Sequence, residues 1–275
     1  MDRSVPPRIY CIPATAAPVV AVFRRGPTAW SHVGRWDLAQ ERYQPGAWLR
    51  GRLFPRRTDL SSDGRLLCYF AHKPTARWEH GDAYVAISRL PWVTALHAFG
   101  TCGTWTRGYY FSDDGGCDDP AHSALPMVYG LRSIPVAQFA TERRRGWTEA
   151  PDSPPRAPAD MWDQHRNVRL EKRQPNGACR LRVESLGRAG GEFGAGQAVD
   201  GLRVRYWLEC EERLRPLDEV QWADWDREGR LLVATRSGQL QIWEVARGDM
   251  EVLSEHDVCG LEPSPIPAPD WAHRW

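Results

Sequence analysis

The residues best suited to chemistry lie in one short run. Ser112 to Pro120 reads SDDGGCDDP, which sets Asp113, Asp114, Asp118 and Asp119 around two glycines, with His122 close by. Hard cations such as calcium take about six to eight oxygen ligands from a flexible loop, and four carboxylates supply several of them. The twelve-residue calcium loop with its closing bidentate Glu is missing, so the competing reading is an exposed acidic turn with no cofactor. A basic partner is the other candidate for this charge.

Nothing else reads as a reaction centre. The eight histidines include no H-x-H or H-E-x-x-H pair. Ser88 in AISRLP and Cys102 in GTCGTW are the remaining nucleophile candidates, but neither lies in a G-x-S-x-G elbow or a local cysteine signature. They read as strand and turn residues. The loop GRAGGEFGAGQ, with Gly191, Gly194 and Gly196, lacks the Lys-Ser/Thr of a phosphate loop and opens no helix. The catalytic set expected from the sequence is therefore empty.

Binding chemistry is better represented. Arginines cluster at Arg24-Arg25, Arg56-Arg57 and Arg143-Arg144-Arg145, the last followed by Trp147, and Thr104 to Phe111 (TWTRGYYF) combines Trp105, Arg107, Tyr109 and Tyr110. Arginine and aromatic rings are the residues most enriched in binding hot spots, which makes Trp105, Arg107, Tyr109, Tyr110, Arg143, Arg144, Arg145 and Trp147 the interface candidates. With 36 basic against 35 acidic residues and a net charge of +1, no global field favours nucleic acid or an anionic membrane. The expected partner is another protein. The chain holds 14 tryptophans. Trp36, Trp222, Trp225 and Trp243 occupy strand positions, whereas Trp30, Trp78, Trp105, Trp147 and Trp162 fall in loops and Trp271 and Trp275 in a Pro-rich tail, 263–275.

The elements that must position these residues are strands. The 24 glycines and 22 prolines cut the chain into pieces too short for long helices. The clearest piece is C-terminal: Val220 to Asp226, a Glu228-Gly229 turn, Arg230 to Thr235, a Ser237-Gly238 turn, Gln239 to Val245, a further turn at Arg247 to Asp249, then Met250 to Leu253. Together they read as a four-stranded antiparallel meander. This stretch, Val220 to Asp257, resembles a blade of a WD-repeat β-propeller, with Trp243-Glu244 where the family has Trp-Asp.

A blade cannot bury both faces alone, so the resemblance implies related units upstream at a period of ~40 to 50 residues. Thr58 to Phe70 (TDLSSDGRLLCYF) repeats the Asp-Gly turn and the following strand, and Trp36-Asp37-Leu38 ends an earlier hairpin. The fold class expected is all-β, a β-propeller of about five irregular four-stranded blades at 8–50, 51–102, 103–150, 160–215 and 216–260, forming one domain. The N-terminal strand Ile9 to Ile12 would complete the last blade. A β-sandwich, or two small β domains joined by the Pro-rich linker 151–159, is the rival architecture.

The seven cysteines are scattered, odd in number and never in a C-x-x-C pair, which argues against a disulfide framework. No apolar stretch approaches the ~20 residues of a membrane span. A reducing, cytoplasmic setting is expected, and the heavy preference for arginine over Lys73 and Lys172 hints at a bacterial source. WD-like propellers act mostly as interaction platforms, so the resemblance implies a non-enzymatic binding module, an inhibitory or scaffolding subunit of a regulatory complex. The alternative is a propeller hydrolase or lyase whose site is assembled from several blades.

Overall fold

A computed structural model of the chain describes residues 7–27, 29–73, 81–101, 103–105, 108–118, 120–135, 138–155, 167–175, 177–188 and 202–275. The fold is all-β and of the β-propeller type, in four blades. Its first blade orders β1 (Arg8–Pro13), β2 (Val19–Arg25), β3 (Trp30–Asp37) and β4 (Arg42–Arg50) in sequence. In the second, β5 (Arg52–Leu53) and β6 (Asp59–Leu60) both pair with β7 (Leu66–His72), followed by β8 (Ala83–Arg89) and β9 (His97–Gly100). Pro55 opens a 3-10 turn between β5 and β6. Proline cannot donate to a ladder, so the strand is split there.

The candidate blade at 103–150 is not a blade. Only a two-stranded ribbon forms there among the described residues, β10 (Tyr109–Ser112) with β11 (Gly130–Ser133), alongside the short helices α1 (Pro120–Ser123) and α2 (Ala140–Arg143). Pro120, Pro126 and Pro135 and the acidic glycine turn leave too little uninterrupted chain for two more strands. The next strand, β12 (Thr148–Glu149), joins the following sheet with β13 (Arg169–Arg173), β14 (Arg180–Arg188), β15 (Leu202–Cys210) and β16 (Arg213–Pro216). The last sheet is β17 (Val220–Trp225), β18 (Leu231–Thr235), β19 (Gln239–Ala246) and β20 (Asp249–Asp257). The expected meander is present there, strand for strand.

The N-terminal strand also departs from expectation. β1 is the edge of the first blade and adds no strand to the last. The turn of Ala14 to Pro18, closed by Ala14 N–H donating to the Val19 carbonyl at 2.8 Å, makes the local hairpin the pairing with the smaller entropy cost. A side-chain tether remains, since Ile9 N–H donates to Gln221 Oε1 at 2.9 Å.

The chain divides into two compact units, residues 1–10 with 136–261 and residues 11–135 with 262–275. In the first unit the core lies between two sheets. Leu170, Leu181, Val183 and Leu208 from one meet Val220, Trp225, Leu231 and Val233 from the other. β15 shows how: its residues alternate buried and outward along Leu202, Val204, Tyr206 and Leu208, the period of two that a half-buried strand requires. Lys172 Nζ and Asp224 Oδ1, 2.6 Å apart, fasten the same two sheets, and Trp225 Nε1 donates to the Lys172 carbonyl at 3.1 Å. At the tip of the last blade Gly229 has φ +87, and a Cβ there would sit 2.6 Å from the Pro175 carbonyl oxygen. Only glycine fits that turn.

Cys179 and Cys210 form a disulfide, contrary to the expectation of reduced thiols. They flank the Arg180–Glu209 pair of β14 and β15, and their Cα atoms are 4.4 Å apart, the separation of a directly opposed cross-strand pair. Spacing along the chain does not reveal this because the partners become neighbours only when the strands pair. The cysteine argument for a reducing compartment falls with it.

In the second unit the core gathers Phe54, Phe70, Val85, Ile87, Phe111 and Leu131. Arg52 and Arg57 lie over the Phe54 ring at 4.6 and 4.9 Å, so Arg57 of the Arg56-Arg57 cluster takes part in packing. Gly108, at φ +86, passes so close to the Arg57 carbonyl that a Cβ would collide with it.

Candidate interaction surfaces

The β10–β11 ribbon carries most of the expected site. Asp59, itself buried, accepts the Phe111 N–H at 2.9 Å and so hangs the ribbon on the second blade. Tyr109 and Phe111 point the same way, as residues two apart on a strand must. Tyr109 packs against Phe99 and His122 at ring separations of 5.3 and 5.1 Å, and Phe111 enters the core. Tyr110 and Ser112 take the other face, with Arg132 directly opposite Tyr110 in the register.

The acidic turn is held by the chain's own donors. Asp114 accepts from Ser112 Oγ, from Gly116 N–H at 2.8 Å and from Arg132 Nη2 at 3.0 Å, and its pKa is lowered, first by the Ser112 hydrogen bond. Asp118 Oδ2 accepts the Ser133 N–H at 2.5 Å. Arg132 thus sets a positive charge beside Asp114, and among the described residues no group of three or more His, Cys, Asp or Glu comes together as a metal site. Asp113 is exposed in the same turn, and Asp119 lies outside the described residues.

The remaining candidates fall elsewhere. Arg143 donates to the Gln138 carbonyl at 3.2 Å and pairs with Glu149 at 2.9 Å, and Arg145 donates to the Thr141 carbonyl at 3.2 Å. Arg144 follows α2 as its C-cap. Trp147 is 3% exposed, part of the first unit's core and not of its surface. Trp105 lies in a 3-10 turn, Gly103–Trp105, whose Trp105 side chain is not described, and Arg107 lies outside the described residues. Ser88 Oγ donates to the Trp92 carbonyl at 2.7 Å within the core, a structural bond. Cys102 and the glycine loop 189–201 are not among the described residues.

The tail supplies a surface that residue patterns mark only as rich in proline and tryptophan. Its 3-10 turn Asp270–His273 buries Ala272 completely, against Ala47 and Trp92, and Arg89 Nε donates to the Arg274 carbonyl at 2.5 Å. Trp271 is nevertheless 49% exposed and Trp275 36%. The segment is anchored by its alanine and presents its indoles to solvent.

Comparison with known proteins gives fold-level likeness only. No family model matches the chain, and no curated protein matches it. Among solved structures it is similar to the hydrazine synthase of Kuenenia stuttgartiensis at 11% identity, with TM-score 0.37, over 89% of this chain and 78% of that one. It is also similar to a provisionally assigned 6-phosphogluconolactonase of Bacteroides uniformis ATCC 8492 at 9% identity and TM-score 0.33, covering 90% and 85%. A third is the periplasmic gluconolactonase of Pseudomonas aeruginosa at 13% identity and TM-score 0.29, covering 91% and 85%. Among the described residues no helix is long and apolar enough to cross a membrane.

Proposed function

We propose that this chain is a protein-binding module, a scaffolding or inhibitory subunit whose partner is another protein. The carrying observation is the inverted burial of the tail, where a docked segment hides Ala272 and leaves Trp271 in solvent. A tryptophan side chain buries about 150 to 250 Å² when covered, so an indole held out on an anchored backbone keeps a large stabilisation in reserve for a partner. Because the backbone is already fixed, little ordering entropy remains to oppose binding. The surface is a hot spot prepared in advance.

The test is gentle isolation of the native protein beside a Trp271→Ala/Trp275→Ala variant. A stoichiometric companion should accompany the native chain and be lost from the variant, while the melting temperatures of the two remain close. Equal retention by both, or a native chain that is always recovered alone, contradicts this reading.

A further inference from the structure

We propose that the outer edge of β20 is a second docking site, one that accepts a basic, extended segment of a partner protein as a fifth strand of the last blade. This rests on the protein-binding reading only for the class of partner, and it uses no residue of the tail.

An exposed sheet edge offers unpaired N–H and C=O groups to any passing strand, and proteins usually blunt such edges with proline, charged side chains or short length. The other outer edges follow that rule. β16 is four residues long and reads Arg-Leu-Arg-Pro. β9 also has four residues. β4 is long but carries Pro45, and Ala47 N–H is taken by the Pro91 carbonyl at 3.0 Å. β20 ends its sheet, runs nine residues from Asp249 to Asp257, and contains no proline, lysine or arginine, so its guard is acidic charge, which repels a second copy but not a basic strand. Val252 and Leu253 are 50% and 44% exposed on it.

Its charge defines the occupant. The register sets Glu251 directly opposite Glu244, and like charges so placed repel. Asp249 lies beside Glu251. Beyond the register shift at Leu253, Glu255 and Asp257 stand opposite Gln241 and Gln239, on the face of Trp243 and Val245. Carboxylates therefore flank the edge on both faces of the sheet. Glu255 accepts from the Gln241 amide and Asp257 from Cys259 N–H, and among the described residues none of these five carboxylates pairs with an arginine or lysine. A second copy of β20 would set acid against acid and is repelled. A strand with alternating basic side chains satisfies the backbone groups, covers Val252 and Leu253, and neutralises the Glu244–Glu251 pair together.

The probe is a nine-residue peptide of alternating lysine and valine, offered to the full chain and followed by amide hydrogen exchange and fluorescence anisotropy. Binding should protect residues 249–257. It should weaken at least about tenfold for the same peptide N-methylated at alternate amides, and likewise for the exposed-site variant Glu251→Lys/Glu255→Lys. Equal binding of the N-methylated peptide would show charge attraction without strand pairing. That result, protection confined to other residues, or no binding would each overturn the proposal. A tail-dependent partner retained by Glu251→Lys/Glu255→Lys would leave the protein-binding reading standing while this site failed.

Discussion

At the scale of single residues, the most informative group is one that pattern reading passes over. His32 is wholly buried on β3, its ring 4.6 Å from Trp48, and accepts the Gly46 N–H at Nε2 while Nδ1 faces the Tyr43 hydroxyl at 3.3 Å. Nε2 as acceptor leaves the proton of the neutral ring on Nδ1. Burial, with Arg24 adding to it, lowers its pKa from 6.5 to about 4. The folded state thus binds this proton less readily than the unfolded chain, so the stability it contributes is complete above pH 6.5 and is lost as pH falls towards 4. The loss should approach about 3 kcal/mol, because each tenfold change in proton affinity is worth ~1.4 kcal/mol. Denaturant melts across this range should show it, and a His32→Asn variant, though less stable, should lose that part of the pH dependence. A parallel pH profile in both proteins would dismiss His32 as its source.

At the scale of elements, the covalent link between β14 and β15 makes a direct prediction. A peptide map made without reduction should recover Cys179 joined to Cys210, and reduction before digestion should release both. Recovery of both as free thiols from the native chain would contradict the pairing. The elements also show what could be read beforehand. Val220 to Asp257 is legible because its turns are local: Asp226 Oδ1 accepts the Glu228 and Arg230 N–H groups, and Thr235 Oγ1 accepts that of Gln239. Such bonds are set by neighbours in the chain. The segment 103–150 has a strand and an Asp-Gly turn, the same local signals, but Pro120, Pro126 and Pro135 interrupt the chain where the remaining strands of a blade would run. The direction of β1 is not legible either, since two pairings compete and a short turn decides between them.

At the scale of the whole molecule, near-neutral charge and abundant aromatics fit a chain that works through local surfaces more than through a long-range field. Packing takes up part of the tryptophan excess: Trp36, Trp92, Trp147, Trp222 and Trp225 are all buried. Composition marks the excess without saying which rings enter the core, because burial is decided by contacts distant in sequence. Trp147 reads as a surface residue beside its arginines and is core, whereas Trp271 keeps half its surface in solvent on an anchored segment. The candidate site is accordingly legible as a composition, Trp with Arg, and only in part as positions.

The most direct measurement is site-specific photo-crosslinking in cells that make the protein, with a photoreactive residue replacing the exposed Asp270 beside an intact Trp271 and, as a control, the exposed Arg236. A discrete protein adduct is expected from position 270 and none from 236. Adducts of equal yield and identity at both positions, or none at 270, would contradict the binding role of the tail.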